Sequence, residues 1–211
     1  MLVGLIDLGI NNLSSVNKAF SSQLESDDSL IVIESNLESV IPDLLILPGL
    51  GKFSAGMNAL QDTGLDLQIK NWTNLGSKLV GICLGMQLLG TKSDESPGHP
   101  GLDLIPASVN RLSPEMNERV PHTGWANTEL VQMATHFKSL GEKGDYYFVH
   151  SYHLVPDQDE DVLSETDFGS KKFVSAVLLN NILGFQFHPE KSGKKGKLLI
   201  GEIIKWAKDE N

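Results

Sequence analysis

A single cysteine, Cys83, serves all 211 residues. That excludes an internal disulfide and a multi-cysteine zinc site, and it fits a reducing cytoplasm. Positive charge is scarce as well: 17 lysines and arginines stand against 27 acidic residues, a net charge of −10. Such a balance argues against a nucleic-acid or anionic-membrane surface. No apolar run reaches the roughly 18 residues of a membrane span. No basic segment precedes Leu2–Ile6, so no signal peptide is expected. Repeats, low-complexity tracts and interdomain linkers are also lacking. The expectation is one domain over residues 1–211, ordinary in its 40% hydrophobic and 21% charged content.

What is present is organised around Gly81-Ile82-Cys83-Leu84-Gly85-Met86-Gln87. Its G-x-C-x-G form is that of a nucleophile elbow, in which a strand ends, the chain turns sharply and a helix begins. Glycines two before and two after the cysteine leave room for the turn. The thiol would then sit by a helix N-terminus, whose partial positive charge favours thiolate, with the Leu84 N–H as an oxyanion donor. A lone cysteine is more often a small buried hydrophobe, so the rest of the chain must decide.

Apolar runs at Leu2–Ile6, Ile31–Ile33, Leu44–Leu47 and Leu79–Ile82 read as strands, the third stopped by Pro48 and Gly49. Helices are expected after the turn at residues 7–12, over about Gly64–Leu75, and over about Gly196–Lys208. Short strands are expected near Ala107–Leu112 and Val120, one strand over Tyr146–Tyr152, and a hairpin around Asn180-Asn181. The alternation predicts an α/β fold: an open, mostly parallel sheet flanked by helices, with a smaller antiparallel or mixed strand region. Ligands of such sheets bind beyond the carboxyl ends of the strands, where Cys83 and the Pro48-Gly49 turn both fall.

Two further stretches complete a constellation. Gly184-Phe185-Gln186-Phe187-His188-Pro189-Glu190 delivers His188 at a strand end, with Glu190 two residues on. A cysteine nucleophile needs a group to take its proton and return it to a leaving amine. Imidazole suits both tasks, and a carboxylate fixes its tautomer. Alone, such a pair is usually a surface contact. In Pro48-Gly49-Leu50-Gly51-Lys52-Phe53, two glycines around Leu50 let a peptide plane turn an N–H toward a developing oxyanion. Alone, that stretch reads as a plain strand-to-helix turn.

Together these residues resemble the class I, or triad, glutamine amidotransferases. Within that class the chain looks like the glutaminase subunits of imidazole glycerol phosphate synthases. The stretches that carry the likeness are I-D-L-G-I-N-N-L (6–13), P-G-L-G-K-F (48–53), G-I-C-L-G-M-Q-L-L (81–89), V-P-H-T-G-W (120–125), Y-F-V-H-S-Y (147–152) and G-F-Q-F-H-P-E-K-S (184–192). The resemblance implies that Cys83 attacks the side-chain amide of glutamine, that His188 protonates departing ammonia and then activates water, and that Glu190 orients His188. It implies oxyanion donors at Leu84, Leu50 and Gly51, and substrate contacts at Gly49, Gln87, Glu95, His150, Ser151 and Tyr152. It implies no cofactor or metal. Ammonia would pass to a separate (β/α)8-barrel cyclase subunit, with Trp125, Tyr147 and Lys191 at the boundary.

Three stretches depart from the family pattern. Asn11 replaces the second glycine of a G-x-G-N turn, Ser96 follows Glu95 where glycine is usual, and the stretch from Ser96 through Pro106 drifts. Other readings of the same residues are an ammonia supplier for a sugar amidotransferase of surface-polysaccharide synthesis, a γ-glutamyl hydrolase, and a silent scaffold that only binds a barrel. The P-H-T-G-W and Y-F-V-H-S-Y stretches speak against the hydrolase, and the intact Cys83, His188 and Glu190 against the scaffold.

Overall fold

The structure, a computed structural model, describes residues 1–9, 13–37, 40–115, 118–131, 136–142 and 144–209. Asn11, and with it the departure in the first turn, lies outside the described residues. In chain order the elements are β1 (Leu2–Ile6), α1 (Leu13–Ser21), β2 (Ser29–Ile33), β3 (Leu44–Gly49), α2 (Phe53–Thr63), α3 (Leu65–Asn74), β4 (Lys78–Cys83) and α4 (Leu84–Leu88). There follow β5 (Lys92–Ser93), β6 (Ala107–Arg111), β7 (His122–Asn127), β8 (Glu129–Leu130), α5 (Lys138–Gly141), β9 (Asp145–His150) and β10 (Tyr152–Pro156). The chain ends with β11 (Val162–Phe168), β12 (Lys171–Leu179), β13 (Ile182–Phe185) and α6 (Gly193–Lys208).

Eight strands form the main sheet in the order β2-β1-β3-β4-β13-β12-β11-β8. Pairing is parallel from β2 through β13 and antiparallel from β13 to β8. This is the open, mostly parallel α/β sheet that the sequence predicts. A three-stranded sheet (β10-β6-β5) and the antiparallel pair β7-β9 make up the smaller mixed region.

The central strands read as unbroken apolar runs because both sheet faces are covered. In β3, Leu44 and Ile46 pack with Phe20, Leu199 and Ile203 of α1 and α6. Leu45 and Leu47 face the opposite way, against Met57, Leu60, Ile69 and Trp72 of α2 and α3. Among the described residues no helix is long and apolar enough to cross a membrane.

Four expectations need correction. The third strand does not stop at Leu47: Pro48 pairs with Ile82 and Gly49 with Cys83. The missing proline N–H falls at the strand end, where β1 no longer pairs, which is where a sheet tolerates it. The strand placed near Val120 starts at His122, after Pro121, which has no N–H for the ladder. The segment Tyr146–Tyr152 breaks at Ser151 into strands of two different sheets. The helix expected from Gly64 to Leu75 is preceded by a second one, α2, and Gly64 at φ +71° both ends α2 and opens α3.

Candidate active site

The elbow forms because its glycines are pressed by backbone. A Cβ on Gly85 would lie 1.7 Å from the Leu47 carbonyl oxygen, and one on Gly81 would lie 2.7 Å from the Gly85 oxygen. Strand β4 can therefore reverse into α4 directly against β3. The turn falls on Cys83, held at φ 56°, ψ −110°, a conformation unusual for a residue with a side chain. The surrounding packing imposes that strain at the residue expected to react.

His188 follows β13, the parallel neighbour of β4, with Ile82 opposite Phe185. Its Nδ1 donates to Glu190 Oε1 at 2.8 Å, and both side chains are buried. Burial alone would push the imidazole down. Cys83 and Glu190 outweigh it and hold the pKa up at about 9, so the ring carries a proton at neutrality. With Nδ1 on the carboxylate, Nε2 is left to face the sulfur. It is buried and, among the described residues, lacks a hydrogen bond of ordinary geometry. Cys83 is thus the close electrostatic neighbour of Nε2, and acid–base pairs commonly tighten in the substrate complex.

In front of Cys83 lies a cavity of about 190 Å³ lined by Leu50, Gly51, Leu84, Gln87, Glu95, Pro121, Val149, His150, Ser151 and Tyr152. Every oxyanion and substrate residue expected from sequence lines it except Gly49. Gly49 instead lets the end of β3 touch α4, since a Cβ there would meet Leu84 Cβ at 2.9 Å. Gly51 has φ +99°, which glycine supplies readily. Ser151 makes the corner between β9 and β10, so three successive residues reach one wall.

Two departures from the family pattern acquire a structural role. Glu95 Oε2 accepts the Phe53 N–H at 2.7 Å and Ser96 Oγ accepts the Ser54 N–H at 3.2 Å. They cap α2, whose own N-cap residue, Lys52, makes no side-chain cap. That helix begins directly after the Gly49-Leu50-Gly51 turn, so the two side chains brace the turn. The drifting stretch 102–106 closes the other end of the elbow helix. Leu102 donates to the Leu88 carbonyl at 2.8 Å and Leu104 to the Leu89 carbonyl at 2.9 Å.

Trp125, Tyr147 and Lys191 do not line the cavity; they form an outer cluster next to it. Trp125 is 56% exposed and meets Tyr147 edge-on at 5.7 Å, and Lys191 Nζ sits 5.8 Å from the Tyr147 ring centre. The Tyr147 backbone is tied to the histidine loop. His188 N–H donates to Tyr147 O at 2.9 Å, and Tyr147 N–H donates to Ser192 Oγ at 3.0 Å.

Sequence reasoning gave no role to Gln186 or to the His122 and His153 side chains. Gln186 is fully buried beside Cys83. The available signal was parity: in an extended segment Gln186 shares a side with His188, while Phe185 and Phe187 enter the core. His122 and His153 pack around Phe173 with His150, and burial lowers all three, His150 to about 3 and His153 to about 4.

Known proteins resemble the chain in sequence and in fold. The model of the family "Glutamine amidotransferase class-I" matches residues 8–205. The chain is 38% identical over 208 residues to the imidazole glycerol phosphate synthase subunit HisH of Prochlorococcus marinus strain SARG, covering 99% of this chain and 96% of that one. It is 39% identical over 198 residues to the subunit of that name from Pyrococcus furiosus, covering 94% and 95%. Two solved structures share the fold. PurLQS from Thermotoga maritima superimposes with a TM-score of 0.73 at 20% identity, over 98% and 99% of the two chains. A glutamine amidotransferase from Thermotoga maritima does so with 0.65 at 16%, over 98% and 94%. A sheet that carries its one thiol on a strained elbow, matched to the family along nearly its whole length, makes this chain a member of the class-I glutamine amidotransferases.

Proposed function

We propose that this chain is the glutaminase subunit of an imidazole glycerol phosphate synthase, working in the cytoplasm as a single domain and feeding ammonia to a (β/α)8-barrel cyclase. The observation that carries the reading is the nearness of Cys83, on its elbow at the cavity, to the His188 ring, whose Nδ1 is held by Glu190. The near-full-length relatives named as subunits of that synthase favour it over a sugar amidotransferase supplier.

The steps follow from the groups present. The Cys83 thiolate adds to the side-chain carbonyl carbon of glutamine. The oxygen takes up the negative charge, facing N–H groups of Leu84 and the Leu50-Gly51 turn. His188, protonated and held by Glu190, gives its proton to the departing nitrogen; the C–N bond breaks, and ammonia and a glutamyl thioester result. Neutral His188 then takes a proton from water, which attacks the thioester. Glutamate leaves and the thiolate–imidazolium pair returns. Gln87, Glu95 and the His150-Ser151-Tyr152 corner hold the amino-acid end. Trp125, Tyr147 and Lys191 meet the cyclase, and contact there bears on His188 through the Tyr147 backbone.

The test is co-purification with candidate barrel proteins, followed by a glutamine-dependent cyclase assay. Formation of imidazole glycerol phosphate from glutamine in the complex is expected, with labelling of Cys83 by 6-diazo-5-oxo-L-norleucine. An unlabelled Cys83, or a complex that uses ammonium but never glutamine, would overturn the reading.

A further inference from the structure

Gln186 joins the nucleophile to the substrate wall, and the direction of every hydrogen bond around it is fixed. Gln87 Nε2 lies 2.9 Å from the Tyr152 carbonyl oxygen, which can only accept. That nitrogen is therefore correctly placed as a donor. It also lies 3.0 Å from a Gln186 side-chain atom, which must then be the acceptor Oε1. The other end of the Gln186 carboxamide is consequently the NH2 group, and it points at Cys83 Sγ from 3.8 Å. The Tyr152 carbonyl is itself pinned by His150 Nδ1 at 2.9 Å. A neutral His150 that donates there must accept at Nε2, from His122 Nδ1 at 3.2 Å. No amide in the chain can flip without placing donor against donor or acceptor against acceptor.

We propose that Gln186 is a positioning residue of the reaction. It holds an N–H donor against the Cys83 sulfur, and through the same carboxamide it sets the orientation of Gln87. A donor at sulfur favours thiolate over thiol and opposes the alternative in which the S–H turns to the Val149 carbonyl 3.9 Å away. Gln87, having used both N–H groups, presents only its oxygen to the cavity, so a substrate donor bound there is sensed at sulfur through one side chain. The inference rests on the glutaminase reading.

Two isosteric variants separate the roles. Gln186→Met removes both donor and acceptor; Gln186→Glu keeps an acceptor for Gln87 and puts a carboxyl oxygen against sulfur in place of the amide NH2. Alkylation of the lone thiol by iodoacetamide at pH 7, followed by mass spectrometry on folded protein, should slow about tenfold in both. Glutamine KM in the glutaminase complex should rise in Gln186→Met and stay near wild type in Gln186→Glu. A purely structural residue would lower the folded fraction without changing the alkylation constant of what is folded. Wild-type alkylation rates in both variants overturn the proposal. If neither folds, the Gln186 side-chain amide proton in 15N-labelled protein should move upfield on Cys83→Ala; an unmoved resonance also overturns it. Labelling of the wild-type thiol by 6-diazo-5-oxo-L-norleucine reads the glutaminase assignment separately. Labelling with unaltered variant alkylation sinks only the present inference.

Discussion

Gly85→Ala isolates the packing that makes the elbow. The new methyl carbon would sit 1.7 Å from the Leu47 carbonyl oxygen. Relief requires a shift of more than about 1 Å in β3 or α4, beyond the adjustment that ordinary overpacking demands. Strand β3 lies inside the sheet with every residue buried, and α4 is buried throughout, so neither can give way locally. A loss of at least about 4 kcal/mol follows, a large part of the roughly 5–15 kcal/mol that holds a domain together. Gly81→Ala, with its nearest backbone atom at 2.7 Å, should lose about 2–3 kcal/mol. Gly51→Ala meets no atom of the described residues within 4 Å and bears the strain of φ +99°, about 1–2 kcal/mol. Its damage should instead appear in glutamine turnover, because it sits in the turn that faces the cavity. Urea unfolding followed by circular dichroism ranks the three. A Gly85→Ala chain within about 1 kcal/mol of wild type, or less harmed than Gly51→Ala, would refute the reasoning.

Other outcomes can be checked directly. Cys83→Ala should abolish glutamine hydrolysis while the partner subunit still uses added ammonium; residual hydrolysis would assign the nucleophile elsewhere. The fold favours protonated His188, so that stabilisation is complete below the unfolded value of 6.5 and fades as pH rises through about 9. Glu190→Gln should reduce it, so the stability gap between wild type and variant should shrink by about 1–2 kcal/mol between pH 6.5 and 9.5, and a constant gap would contradict the assignment. Lys78 Nζ donates to the Trp206 and Asp209 carbonyls, both at 2.6 Å, closing the C-terminus of α6. Lys78→Met should lower unfolding stability by about 2 kcal/mol, and a change under about 0.5 would show those contacts to be dispensable.

The legible parts of the sequence were those where one physical requirement dominates a short window. Leu44–Leu47 and Leu79–Ile82 are apolar throughout because both faces of the sheet are covered, and the glycines at 81 and 85 mark the turn by themselves. His188 and Glu190 could be paired because two residues of chain cannot separate them far. The illegible parts depended on partners distant in sequence. Strand β11, where no element is expected from sequence, carries Ser164 and Thr166, both buried, and the Ser164 hydroxyl finds its partner only when the Ser175 hydroxyl comes within 2.9 Å. Helix α2 contains Gly56, a poor helix residue that is there because Leu88 presses on it. Gln186 lay inside a quoted motif, yet its role depends on Gln87 and Tyr152, which only the folded sheet brings near.

The pairing of β4 with β13 has a consequence for how such a chain can vary. The thiol ends one of two adjacent strands running the same way, and the imidazole follows the other just past its last pairing, where its backbone is bridged to Tyr147, so the gap between them is set by the sheet and that bridge together. Intervening connections that neither pair with these strands nor carry Tyr147 can be shortened, extended or rebuilt to suit a different neighbour, and the reacting atoms would keep their separation.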